Sequence, residues 1–144
     1  MRDKRFAANH MGGPLNLERH KLLIHWAVDC VKHGIEIVNE NAIDERASKA
    51  LEIAKKWENG DATVGEARKA AFAAHDAARE CEDKIKQALM RACGHAAATA
   101  HMADHSLQAR IYILKALKIK EIEIAKEMEW QIQKADASIR ELIE

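Results

Sequence analysis

From Ala92 to Ala109 the chain reads ACGHAAATAHMADHSLQA, a run whose one formal charge is Asp104. Alanine is the strongest helix former. A helix with so little charge on any side is buried on several sides, and its small side chains let neighbouring helices approach closely. The run therefore predicts a central, buried helix in an all-α domain, starting near Glu82-Asp83 and continuing as far as Leu117. The rest of the composition agrees. Aromatics make up 4% of the 144 residues, with one proline and six glycines, too few turn, aromatic and β-branched residues for a sandwich or barrel.

Local signals divide the remainder into further helices. Residues 1–15, with Gly12-Gly13-Pro14, read as an N-terminal leader segment that docks or stays mobile, and 16–144 as a single helical domain. Asn16 caps a first helix to about Asn39, with a core stripe of Leu23, Trp26, Ala27, Cys30, Val31, Ile37 and Val38. Asp44 caps a second, stopped by Gly60. Thr63 and Glu66 form a capping box for a third, which carries Ala67, Ala71, Ala74 and Ala78 on one stripe and Arg68, Phe72, His75 and Arg79 on the next. A last helix, roughly Lys120 to Lys134, presents Ile124, Ala125, Met128 and Ile132, and Asp136 caps a final turn. The expectation is a bundle of five to six helices around an Ala/His-rich central one.

Three of the eight histidines lie in the central run. On an unbroken helix at 100° per residue, His101 and His105 share a face with Gly94, Ala98 and Tyr112, and His95 points elsewhere. Two histidines one turn apart are half a zinc site, which needs three or four converging ligands. His75 or Asp104 is the candidate to complete it, although Asp104 points about a quarter-turn or more away from the pair. HMADH also lacks the glutamate of the HExxH motif. No metal and no cofactor is expected, with His75, His101 and His105 the candidates if one binds. Buried imidazoles hydrogen-bonded across helices, to Asp29, Arg79 or a backbone carbonyl, are the simpler expectation. Asp29 and His33, one turn apart, could form half of a catalytic dyad, and His75 with Arg79 a polar bridge inside the bundle. Trp26, Trp57 and Trp130 are core or interface anchors.

Lys and Arg number 23 against 23 Asp and Glu, so the net positive charge on which nucleic-acid binding draws is missing. Cys30, Cys81 and Cys93 form no CxxC pair and are odd in number, which suits a reducing cytosol. No apolar leader or spanning segment is visible, so a cytoplasmic location without membrane contact is expected.

Four segments together resemble a known family: GGPLNLERHKLLIHWAVDCVKH, ALEIAKKWENGDATVGEARKAAFAAHDAAR, GHAAATAHMADHSLQA and, more faintly, EWQIQKADASIRELI. They are similar to all-helical immunity proteins of bacterial polymorphic toxin systems, over about Gly12 to Ala116. The matching positions are His20, Trp26, Asp29, Cys30, His33, Trp57, Arg68, His75, Arg79, Gly94, His95, His101 and His105, to which the resemblance assigns no individual role. Two family prolines are missing, one replaced by Ala47 and one near Ala135 to Ala137. The resemblance implies a non-enzymatic protein that binds and neutralises a cognate toxin. The other two readings are a metal-dependent or acid–base enzyme using His75, His101 and His105, and a helical scaffold that self-associates into a homo-oligomer.

Overall fold

A computed structural model of the chain describes residues 3–40 and 42–144; Met1 and Arg2 of the expected leader lie outside the described residues. Seven α-helices follow one another: α1 Leu17–Val38, α2 Glu45–Glu58, α3 Val64–Glu80, α4 Lys84–Ala98, α5 His105–Ile119, α6 Ala125–Lys134 and α7 Arg140–Ile143. No strand forms among the described residues. The all-α class is as expected, with more helices than five or six.

The predicted caps are all in place. The Asn16 side chain accepts from the Arg19 N–H and that of Asp44 from the Arg46 N–H. Thr63 and Glu66 close a reciprocal capping box, and Asp136 accepts from the Ser138 N–H. These groups satisfy N–H donors that a helix start leaves without intrahelical acceptors. Helix α2 starts on its aspartate although Ala47 replaces the family proline.

The central helix departs from expectation. It breaks at Thr99 and resumes at His105, giving two antiparallel-packed pieces, α4 and α5, in place of one. Unbroken from Asp83 to Leu117 it would be roughly 50 Å long, far beyond the helices around it. Thr99 Oγ1 donates back to the His95 carbonyl, and the chain then turns through short-range bonds such as Ala100 N–H to Ala97 O and His101 N–H to Ala98 O. Folding back puts the small residues to use: α4 touches α1, α2, α3 and α5. Its Ala88, Ala92, Cys93, Gly94, Ala96 and Ala97 are all buried.

Two apolar cores result. The larger gathers α1 to α5 around Leu89, Ile113 and Leu117. The smaller joins Trp26, Cys30 and Leu23 of α1 to Phe6 and Leu15 on one side and to Ile139, Leu142 and Ile143 on the other. The segment before α1 is therefore docked where described: Asn9 N–H donates to Leu15 O at 2.7 Å and Leu15 N–H to Ala7 O at 2.9 Å. A side chain at Gly13 would sit 2.2 Å from the Ala7 carbonyl oxygen, so this close approach requires glycine.

Helix α6 begins at Ala125, five residues later than expected, and is rotated from its predicted face. It buries Glu127 and Gln131, whereas Met128 is 39% exposed. The partners on α1 are polar, which reverses the apolar stripe. The Trp26 indole N–H donates to Gln131 O at 2.7 Å, and His33 Nδ1 donates to Glu127. Ile37, placed in the α1 core stripe by periodicity, is likewise exposed at the helix end.

Candidate binding face on helices α3, α4 and α5

The break between α4 and α5 decides which histidines meet. His105 starts α5 and its Nδ1 lies 2.9 Å from Nδ1 of His95 on α4; one ring donates and the other accepts. The two rings are 5.1 Å apart and nearly parallel. Tyr112 stacks on the same His95 ring at 5.3 Å. His75 of α3 meets His95 edge-on at 4.8 Å. Three helices thus contribute to one stack, His75–His95–His105 with Tyr112.

Gly94 allows α3 this close. A Cβ at that position would lie 2.8 Å from the Cε1 and Nε2 atoms of His75. Arg91, one turn before His95, hydrogen-bonds His75 Nδ1 at 3.0 Å. A guanidinium can only donate, so His75 Nδ1 must carry a lone pair and the neutral ring holds its proton on Nε2. Electrostatics agree. Burial first, then the Arg91 charge, push His75 down to about 4. Burial first, then the neighbouring His75 and His105, push His95 down to about 3.

These depressed values have a consequence for stability. In the unfolded chain each imidazole takes up a proton near 6.5; in the folded chain it does so only near about 4 or about 3. Stability from these groups is therefore complete above about pH 6.5 and is lost as pH falls toward their folded values, at up to about 1.4 kcal/mol per pH unit for each ring. His20, lowered mainly by burial, has the same sign. Glu127, raised by burial, has the opposite one. Urea midpoints should drop between about pH 7 and about pH 5, and His75→Asn or His95→Asn should flatten that slope while lowering stability overall. A wild-type midpoint that stays level over this interval would contradict neutral folded histidines.

The other singled-out residues are distributed elsewhere. His20 is buried and bonds Thr99 O at 2.6 Å through Nε2, tilted against the Trp57 ring at 4.8 Å; it is the buried imidazole on a backbone carbonyl. His101 instead lies half-buried in the α4–α5 turn, lining a cavity of about 220 Å³ with Phe6, Met11 and Met102. It does not share a helix face with His105, since the helix between them is broken. Asp29 and His33 form no dyad: Asp29 pairs with His25 at 3.3 Å, and His33 stacks on Trp130 at 3.6 Å while holding Glu127 at 2.8 Å. His75 and Arg79 form no interior bridge either, because Arg79 is exposed and pairs with Asp76. Among the described residues no group of three or more His, Cys, Asp or Glu is placed to hold a metal ion. The thiols of Cys30 and Cys93 are buried; burial raises both, Cys93 to about 12.

Periodicity passed over Arg91, Lys115 and Glu127. Arg91 does stand one turn before His95, and Tyr112 seven residues after His105. Both spacings align the residues on one helix face, a usable signal once α4 and α5 are known to be separate.

The result is an Ala-packed all-α domain in which His75, His95, His105 and Tyr112 stack on one another and His33 holds the buried Glu127 carboxylate. The chain matches the model of the Imm-5 like putative immunity protein family over residues 13–138, and it belongs to that family. Searches of curated proteins and of solved structures give no match. The family span takes in α1 to α6, with the whole histidine stack. No helix among the described residues is long and apolar enough to cross a membrane.

Proposed function

We propose that the chain acts in the cytoplasm as the immunity partner of a protein toxin, binding the toxin and blocking it so that the producing cell survives. Family membership across residues 13–138 carries this reading. The chemistry of the polar residues supports binding over turnover. His75 gives its Nδ1 lone pair to Arg91, and His95 and His105 use a ring nitrogen each on one another. Both buried thiols stay protonated at neutral pH, which removes the nucleophilic thiolate form.

Co-expression with a candidate toxin from its own gene neighbourhood is the direct test. Growth arrested by the toxin alone should be restored by the chain, and the two proteins should elute as one complex in gel filtration. Continued arrest with the chain abundant and folded would refute the reading. Gel filtration of the chain alone also tests self-association, since a homo-oligomer would shift with concentration.

A further inference from the structure

Beside the histidine stack, α4 and α5 enclose a groove of about 540 Å³ lined by Lys84, Gln87, Arg91, Tyr112, Lys115 and Ile119. Three of these side chains are cations and none is an acid. Several other surface cations sit in ion pairs, Arg46 with Asp44 and Glu80, Lys56 with Glu52, Lys86 with Glu40 and Arg79 with Asp76, whereas the groove brings three cations together. Among the described residues no carboxylate forms an ion pair with Lys84, Arg91 or Lys115. The one partner of Arg91 here is His75, whose ring is neutral and leaves the guanidinium charge uncompensated.

The chain as a whole carries no net charge, so this is a local concentration of positive potential of the kind that steers a complementary surface. The groove also has the makings of an anchor. Tyr112 presents its ring under Lys115, whose Nζ is 5.5 Å from the ring centre. Ile111 and Ile119, one turn to either side of Lys115, are 49% and 40% exposed. Aromatic and arginine side chains, ringed by polar groups, are the enriched composition of interface hot spots.

We propose that the toxin docks on the α4–α5 groove through an acidic segment of its surface, with Lys84, Arg91 and Lys115 receiving carboxylates and Tyr112 with Ile119 covered by apolar contact. This rests on the immunity reading. A nucleic acid is the less suited occupant, because polyanion binding draws on net positive charge and rows of phosphate contacts, and the overall charge here is balanced.

Two arms test it. In the first, an all-glutamate peptide is titrated into the isotope-labelled full chain. Amide resonances of 84–91 and 112–119 should move, and added salt and Lys84→Glu/Lys115→Glu should each weaken binding on the order of tenfold. No movement in those segments overturns the groove. An oligothymidylate that binds the same amides more tightly than the peptide overturns the assignment to an acidic protein. In the second arm, affinity for the candidate toxin of the co-expression test is measured for wild type, Lys84→Glu/Lys115→Glu and a control, Lys32→Glu/Lys56→Glu, on the α1–α2 side. Loss confined to the first pair supports the groove, and equal affinity overturns it. Both lysines are exposed, so the fold should survive; should the variant fail to fold, the salt dependence of the wild type decides, and salt-independent binding overturns the proposal. If wild type does not bind the toxin at all, the immunity reading fails while the peptide arm still decides the groove.

Discussion

Trp26→Ala is expected to remove about 3–5 kcal/mol of folding stability, a large share of the roughly 5–15 kcal/mol of a typical domain. Trp26 is 2% exposed and stands at the centre of the smaller core, with Leu23 and Cys30 from its own helix and Ile139 and Leu142 from the chain end. It also holds α6, through its indole N–H on Gln131 O. That attachment matters because the residues α6 buries are Glu127 and Gln131, while its Trp130 and Ile132 pack only partly buried against the smaller core. Trp26→Phe separates the two contributions: the ring volume is largely kept, and a buried carbonyl loses its donor, for about 1–3 kcal/mol. Urea unfolding monitored by circular dichroism measures both. A loss below about 1 kcal/mol for the alanine variant would contradict the core role of Trp26.

Gly34→Ala should destabilise, the reverse of what an alanine normally does in a helix. The substitution would ordinarily gain up to about 1 kcal/mol from helix propensity. Here the added Cβ would lie 2.5 Å from Cγ2 and 2.7 Å from Cδ1 of Ile113, a fully buried β-branched residue on α5. Overpacking of this sort costs about 1–3 kcal/mol. Ile113→Ala by itself leaves a cavity, costing about 2–5 kcal/mol. Combined with Gly34→Ala it should cost less than the sum, because the atoms that clash have gone; contacting residues show such coupling at about 0.5–3 kcal/mol. A stabilising Gly34→Ala, or strict additivity, would mean that α1 and α5 are not this close. Gly94 presents a milder version, since its neighbour is the half-buried ring of His75 and not a fully enclosed aliphatic group.

The contrast between Gly34 and the helix caps shows where sequence reading works. Asn16, Asp44, the Thr63/Glu66 pair and Asp136 act on backbone groups two or three residues away, so their effect is complete within a short window. The alanine stripe of α3 is also local: Ala67, Ala71, Ala74 and Ala78 are all buried. Helix α6 shows the limit. Its apolar pattern favours Ile124, Ala125, Met128 and Ile132, but Trp26 and His33, about a hundred residues earlier, offer hydrogen bonds to Gln131 and Glu127. That tertiary match turns the helix.

The sequence alone determined that the chain is all-helical, where most helices begin, and that the small residues of Ala92 to Ala97 pack in the interior. It also carried the resemblance to the immunity family. Which histidines meet was decided only by the tertiary structure. Helical phase is a local count of 100° per residue, and it holds only while the helix continues. Between Thr99 and Asp104 the chain turns back without a glycine or proline to announce it, and the count is lost. His105 therefore faces His95 and not the side that His101 would have shared. The stack with His75, and the cationic groove beside it, exist because α3, α4 and α5 pack together through small side chains, a contact set by the shape of the whole bundle.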